Sequence, residues 1–346
     1  MQLEDIGWGD PFRSDFSPYE KKGLAPGRVA SSLRGAYLLW TADGDVEAPA
    51  RQQLLRNPDT RPCTGDWVAY RKEPALIEAT LPRRTKLSRK AIGEATSEQV
   101  LAANIDVLFI VTGLDRDYNP RRLERYMAIA WDSGADPVIT LNKADLCEDP
   151  EARLEETRAV AGAAEIILTS AEGEPGVSAM RPFLEPGKTA ALIGSSGVGK
   201  SALTNRLLGY DRREVGDVRA GDGRGRHTTV GRELVRAPEG WIFMDLPGIR
   251  EVQPWSESGV EEAFDDVEAL VRQCRFSDCK HDTEPGCAIR PALETGELEE
   301  ARYQNYLKVQ EETARLSRRK AELAAIEDKK SLRRVHKRFK KTPKRR

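Results

Sequence analysis

The octapeptide GSSGVGKS at residues 194–201 has the spacing Gly-x-x-x-x-Gly-Lys-Ser, follows the apolar run TAALI and leads into SALTNRLLG. A glycine-rich turn of this spacing between a strand and a helix reads as a phosphate-binding loop. Gly194, Gly197 and Gly199 let the backbone N–H groups around Ser195, Ser196 and Val198 close on anionic oxygens without a Cβ in the way, and the helix start adds a favourable dipole. Lys200 is then expected on the β and γ phosphates and the Ser201 hydroxyl on Mg²⁺. The surrounding chain supplies the fold that such a loop needs. The runs IDVLFIVTG, DPVITLNKAD, EIILTSA and WIFMDLPG read as buried strands alternating with helical stretches, the pattern of a sheet with helices on both faces. PRRLERYMAIAWDSG sets Leu123, Met127, Ala130 and Trp131 on one helical face, with Pro at its start and Gly near its end.

WIFMDLPG places Asp245 at a strand end ahead of Pro247 and Gly248. An Asp there holds Mg²⁺ through water, and the Gly248 N–H senses a γ-phosphate. Between loop and strand lies the polar segment RAGDGRGRHTTVGREL, in which Thr228 and Thr229 are candidates for the second hydroxyl ligand to Mg²⁺. Upstream of all this, Asn142, Lys143 and Asp145 form an Asn-Lys-x-Asp box. Its carboxylate accepts from the N1–H and exocyclic amine of guanine, whereas adenine presents a lone pair at N1 and repels it. Asn142 is expected to tie the loop together and the Lys143 stem to lie along the base. Ser170 and Ala171, after EIILT, fit the companion loop whose backbone N–H meets the guanine carbonyl. The order is therefore base box, companion loop, phosphate loop, threonine switch, Asp-x-Pro-Gly. Rotating it restores the usual GTPase order, so the chain reads as a circularly permuted GTPase; a sheet tolerates this because termini can be relocated at surface loops. Ile249 stands where many GTPases carry a water-positioning Gln. Hydrolysis by the isolated protein is expected to be slow, with His227 or a partner's group holding the water.

Residues 27–82 hold about five short alternating runs broken by turn signals, which suits a small five-stranded oligonucleotide-binding barrel. CRFSDCKHDTEPGC concentrates Cys274, Cys279, His281 and Cys287, three thiolates and an imidazole that complete a closed tetrahedral Zn²⁺ site. Cys63 and Cys147 are read as free. The net charge of −1 hides an asymmetry, since residues 329–346 carry eleven Lys or Arg and no acid, and RRTKLSRK at 83–90 carries five. Such clusters call for an anionic partner such as RNA phosphate. No apolar run is long enough to span a bilayer and the start, MQLEDIGWGD, lacks the segments of a secretion signal, so a cytoplasmic protein is expected.

The phrases GDWV, AANID, NKAD, GSSGVGKS, GRHTT and DLPGIRE, in this order between a small barrel and a cysteine cluster, resemble the bacterial small-ribosomal-subunit biogenesis GTPases, the RsgA family. The resemblance covers roughly residues 27–300. It implies an arm and barrel over 1–98 that bind RNA, a permuted GTPase domain over 99–260, and a zinc-binding helical domain with a basic tail over 261–346. It also implies a monomer that hydrolyses GTP with Mg²⁺, is stimulated by the small ribosomal subunit, binds its rRNA and acts late in its maturation, with Zn²⁺ held by the three cysteines and His281. Two other readings remain at this level: a GTPase acting on transfer RNA or translation factors, and a largely non-catalytic RNA-binding protein.

Overall fold

The computed structural model describes residues 1–90, 98–116, 118–210, 232–246, 257–318 and 322. His227, Thr228, Thr229, Gly248, Ile249 and the basic tail 329–346 lie outside the described residues.

The expected strands of the first third are β1 (Ala25–Ser32), β2 (Tyr37–Thr41), β3 (Gly44–Ala48), β4 (Trp67–Arg71) and β5 (Leu76–Thr80). Strand β1 pairs antiparallel with both β2 and β4, and these pair in turn with β3 and β5. A parallel bridge between Ala50 and Ile77, with the Ile77 N–H donating to the Pro49 carbonyl at 2.8 Å, joins β5 to the end of β3. The five strands thus close on themselves around Val29, Leu39, Ala48, Val68, Tyr70 and Ile77, which removes the open edges of a small sheet.

The N-terminal arm crosses this barrel as a helix that the sequence did not reveal. Helix α1 (Asp10–Glu20) sets Phe12 and Phe16 four residues apart; Phe12 and Trp8 pack on Trp67, the Trp8 and Trp67 rings lying 4.6 Å apart, and Phe16 packs edge-on against Trp8. Burial of each such ring contributes about 1.5–3 kcal/mol. Part of the basic run turns inward to the same place. Arg83 makes ion pairs to the fully buried Asp66, and Arg84 pairs with Asp15 and lies over the Phe12 ring. These two cations hold the barrel to its own flanks, so the run is less of a phosphate-binding surface than its composition suggests. After α2 (Gln52–Arg56), already inserted before β4, the chain forms a hairpin of β6 (Lys86–Lys90) and β7 (Glu98–Ala103).

The central sheet then follows: β8 (Val107–Gly113), α3 (Pro120–Ser133), β9 (Asp136–Asn142), α4 (Pro150–Ala161), β10 (Glu165–Leu168), β11 (Thr189–Ile193), α5 (Lys200–Leu208), β12 (Glu233–Arg236) and β13 (Ile242–Asp245). The order across the sheet is β10-β9-β8-β11-β13-β12-β1-β2-β3. Strands β10 through β13 in that order are parallel, whereas β12 is antiparallel to both β13 and β1. Successive strands step outward to one side from β8 and to the other from β11, so the topology switches between these two. Ligands of open α/β sheets bind at the carboxyl ends of the strands beside such a point. Alternate residues of β8 feed two cores: Val107, Phe109 and Val111 face one, Leu108 and Ile110 the other. Strand β12 was not legible as a strand because ELVR is short and closes a polar stretch.

Barrel and sheet share a buried cation. Arg28 of β1 donates to the carbonyls of Ile6 (2.6 Å) and Asn104 (3.1 Å) and to Thr189 Oγ1 (2.7 Å), at the foot of the strand that leads to the phosphate loop. Burial lowers its pKa to about 10, opposed by the charges of Asp106 and Asp66.

Beyond the sheet come α6 (Glu257–Ala263), α7 (Asp265–Arg272), α8 (Ile289–Thr295) and α9 (residues 300–318). Helices α6 and α7 are separated by a break at the fully buried Phe264, whose φ of −125° leaves the helical region so that its ring can enter the core. Helix α6 crosses α3 closely, and a Cβ on Gly259 would stand 2.4 Å from the Ala128 carbonyl oxygen.

Candidate nucleotide site and metal centre

The loop after β11 has the backbone that its glycines permit. Gly194, Gly197 and Gly199 have φ of 145°, 85° and 99°, in the region that strains any side chain. A Cβ on Gly194 would also stand 2.1 Å from the Val111 carbonyl oxygen. Ser195, Ser196 and Gly197 form the outer turn while Val198 is buried beneath it. Helix α5 begins at Lys200, so the N–H groups of its first turn, Ser201 included, open onto this loop. The Lys200 ammonium donates to the carbonyls of Gly194 (2.8 Å) and Ser195 (2.6 Å) and is thereby folded back onto the loop.

The base box lies two strands away at the end of β9 and is joined to the loop directly. Asn142, 1% exposed, donates through Nδ2 to the Val198 carbonyl at 2.8 Å and accepts through Oδ1 from Thr169 Oγ1 at 3.2 Å. One side chain therefore ties phosphate loop, base box and companion loop together. The fit is tight: a Cβ on Gly199 would fall 2.3 Å from Asn142 Nδ2. Lys143 has φ of 63° and its ammonium is 2.6 Å from Asp115 Oδ2, just past the end of β8. Asp145 makes no hydrogen bond or ion pair with any described residue, so its two carboxylate oxygens remain acceptors. Gly173 packs on it, a Cβ there coming within 2.9 Å of the Asp145 Cβ. In the companion loop, the Ser170 N–H donates to Gly176 and Ser170 Oγ accepts from the N–H groups of Glu172 and Gly173. The Ala171 N–H has no acceptor among the described residues.

Asp245 ends β13, next to β11 in the sheet and opposite Glu233 of β12. The structure thus brings Asn142, Lys143, Asp145, Ser170, Ala171, the phosphate loop and Asp245 to one edge of the sheet. Thr169, Gly173 and Asp115 were missed from sequence. Only the position of Asp115, two residues past an apolar strand, could have drawn attention to it.

The second site is at the other end of the chain. Ligating atoms of Cys274, Cys279, His281 and Cys287 all lie within 4.8 Å of one another, and His281 Nδ1 is 3.5 Å and 3.6 Å from the sulfurs of Cys274 and Cys287. His281 takes φ of 61° and the loop closes through the Arg275 N–H to the Gly286 carbonyl at 3.0 Å. The Cys279 thiol is pushed up to about 11 by desolvation and by hydrogen bonds with Cys287 and Cys274. Thiols crowded in this way ionise together once a divalent cation neutralises them, and the donor set fits tetrahedral Zn²⁺. Cys63 and Cys147 are free thiols.

A buried polar network fastens this module to the nucleotide domain. Arg302 of α9 pairs with Asp266 of α7 at 2.6 Å and with the fully buried Glu124 of α3 at 3.0 Å, and Asn305 donates to Glu124 at 2.5 Å. His281 meets the Tyr303 ring edge-on at 6.4 Å.

Comparison with known proteins is consistent with this architecture. The RsgA GTPase family model matches residues 80–255. The small ribosomal subunit biogenesis GTPase RsgA of Opitutus terrae is 46% identical over 336 residues, covering 92% of either chain. Its namesake from Syntrophotalea carbinolica is 42% identical over 91% of this chain and 90% of its own. Among solved structures, YjeQ from Thermotoga maritima superposes with a TM-score of 0.62 at 25% identity over 84% of this chain and 99% of that one. YloQ, described as a circularly permuted GTPase, gives 0.58 at 23% over 84% and 95% and supports the fold.

Proposed function

The chain belongs to the RsgA GTPase family, and from that membership we propose that it hydrolyses GTP as a late assembly or checkpoint factor of the small ribosomal subunit, in the cytoplasm and as a monomer. The observation that carries the site is the Asn142 bridge, which couples base recognition to the phosphate loop through one buried side chain. Asp145 accepts from the guanine N1–H and amine, and the Ala171 N–H, held by the turn that Ser170 organises, donates to the guanine carbonyl. Loop N–H groups of residues 194–201 and the Lys200 ammonium, released from its two loop carbonyls, take the β and γ phosphates. Mg²⁺, held by Ser201, by Thr229 and through water by Asp245, would neutralise charge developing on the phosphates. Gly248 senses the γ-phosphate and His227 positions the water. The arm and barrel over 1–98 and the tail beyond 329 meet rRNA, 99–260 forms the GTPase domain, and one Zn²⁺ on Cys274, Cys279, His281 and Cys287 holds 261–346 in shape.

Hydrolysis measured alone and with small subunits, large subunits or transfer RNA tests the proposal. Small subunits are expected to accelerate it by orders of magnitude, since partner-completed GTPase sites gain up to about 10⁵-fold. Stimulation by transfer RNA instead would redirect the function, and no hydrolysis under any condition would leave a binding protein.

A further inference from the structure

We infer that Asp115 is a specificity-determining positioning residue, which captures the Lys143 ammonium and so keeps the Asp145 carboxylate available to guanine. The inference rests on the base-box reading above. Lys143 and Asp145 share one short turn, two residues apart, and a lysine on a flexible stem is a natural partner for a nearby carboxylate. In this structure the lysine is engaged elsewhere. Its ammonium lies 2.6 Å from Asp115 Oδ2, with the two side chains 27% and 31% exposed, while Asp145 pairs with no described residue.

The backbone is arranged for that capture. Gly113, the last residue of β8, is in register with Asn142, and the Leu114 N–H donates to the Asn142 carbonyl at 2.7 Å. Asp115 is therefore carried on a segment fixed to the base box itself. A Cβ on Gly113 would stand 3.1 Å from Asp115 Oδ1, so the glycine gives the carboxylate room to fold back over the strand end. On the other side, the left-handed φ of 63° at Lys143 sets the direction of its stem. Anchored at the ammonium, that stem forms an apolar rail along the base, and Asp145 keeps both oxygens for the N1–H and the exocyclic amine.

With Asp115 neutralised, the ammonium is free to turn to Asp145 and compete with guanine. The readout is discrimination between GDP and inosine diphosphate, which differs by the exocyclic amine that Asp145 reads. The intact protein is expected to favour GDP by about tenfold or more, the size of a hydrogen bond to a charged group. In Asp115→Asn the preference should fall to about threefold or less. Adding Lys143→Met, which keeps an apolar stem and removes the ammonium, should restore it, and Asp115→Glu, which retains the carboxylate, should keep it. A structural lesion at Asp115 would not be repaired by removing a second side chain. Full discrimination in Asp115→Asn, or no recovery in the double variant, overturns the inference while leaving the base box intact. If the unmodified protein fails to prefer GDP over both inosine and adenosine diphosphates, the base-box reading fails and this inference falls with it.

Discussion

Replacing Asn142 by Ala tests the bridge between the three loops of the nucleotide site. The change removes the 2.8 Å bond to the Val198 carbonyl and the 3.2 Å bond from Thr169 Oγ1, both in a site where Asn142, Val198 and Thr169 are at most 1% exposed. An ordinary hydrogen bond contributes about 1 kcal/mol net, and a buried partner left unsatisfied costs about 1–3 kcal/mol, so the two together come to roughly 3 kcal/mol. Both partners sit in loops at the sheet edge, so the cost falls on loop order rather than on the core. It should appear as a GDP dissociation constant raised about 100-fold, the equivalent of that energy. Titration with a fluorescent GDP analogue reads the affinity, and urea unfolding of the nucleotide-free protein reads whatever the core loses. Gly199→Ala attacks the same contact from the opposite side, because its Cβ would fall 2.3 Å from Asn142 Nδ2. In the Asn142→Ala background that clash disappears and only the strain of φ at 99° remains, so the two changes should be less than additive. A folded Asn142→Ala protein that binds GDP within about threefold of the parent would refute the bridge as an organising contact.

Asp145→Asn should weaken GTP binding and favour the xanthine nucleotide, whose 2-oxo group can accept from the new amide; competition between the two nucleotides measures it. Elemental analysis should give one zinc per chain, with Cys279→Ser losing the metal and hydrogen exchange rising over residues 270–290, since structural zinc contributes directly to folding. Arg302→Met leaves Glu124 with Arg121 and Asn305 but without its interhelical ion pair. The loss should lie near the lower end of the usual cost of breaking a buried pair, about 3 kcal/mol by urea unfolding. Gly65→Ala should destabilise by about 2 kcal/mol or more, because its Cβ would stand 2.0 Å from the Ala103 carbonyl oxygen at φ of 92°; an unchanged melting temperature would contradict the packing of the barrel on the β6–β7 hairpin.

What the sequence determined by itself is everything whose geometry is held within a few adjacent residues. GSSGVGKS carries its own left-handed glycines and its own helix start, PRRLERYMAIAWDSG carries its Pro120 start and Gly134 stop, and the four Cys and His residues of the candidate metal site lie within fourteen positions. The order of the motifs also fixed the permutation, because each one needs the end of a particular strand. Tertiary structure alone decided which distant groups meet. Asn142 reaches Val198 across 56 residues and Lys143 reaches Asp115 across 28, contacts that no periodicity encodes because they depend on β9, β8 and β11 lying side by side. The basic run shows the same limit: composition gives the charge of Arg83 and Arg84, but only the fold supplies Asp66 and Asp15 to neutralise them. Helix α1 and the break at Phe264 were illegible for a related reason, since each buries aromatic rings against partners far along the chain, and a local pattern cannot reveal where that cavity will be.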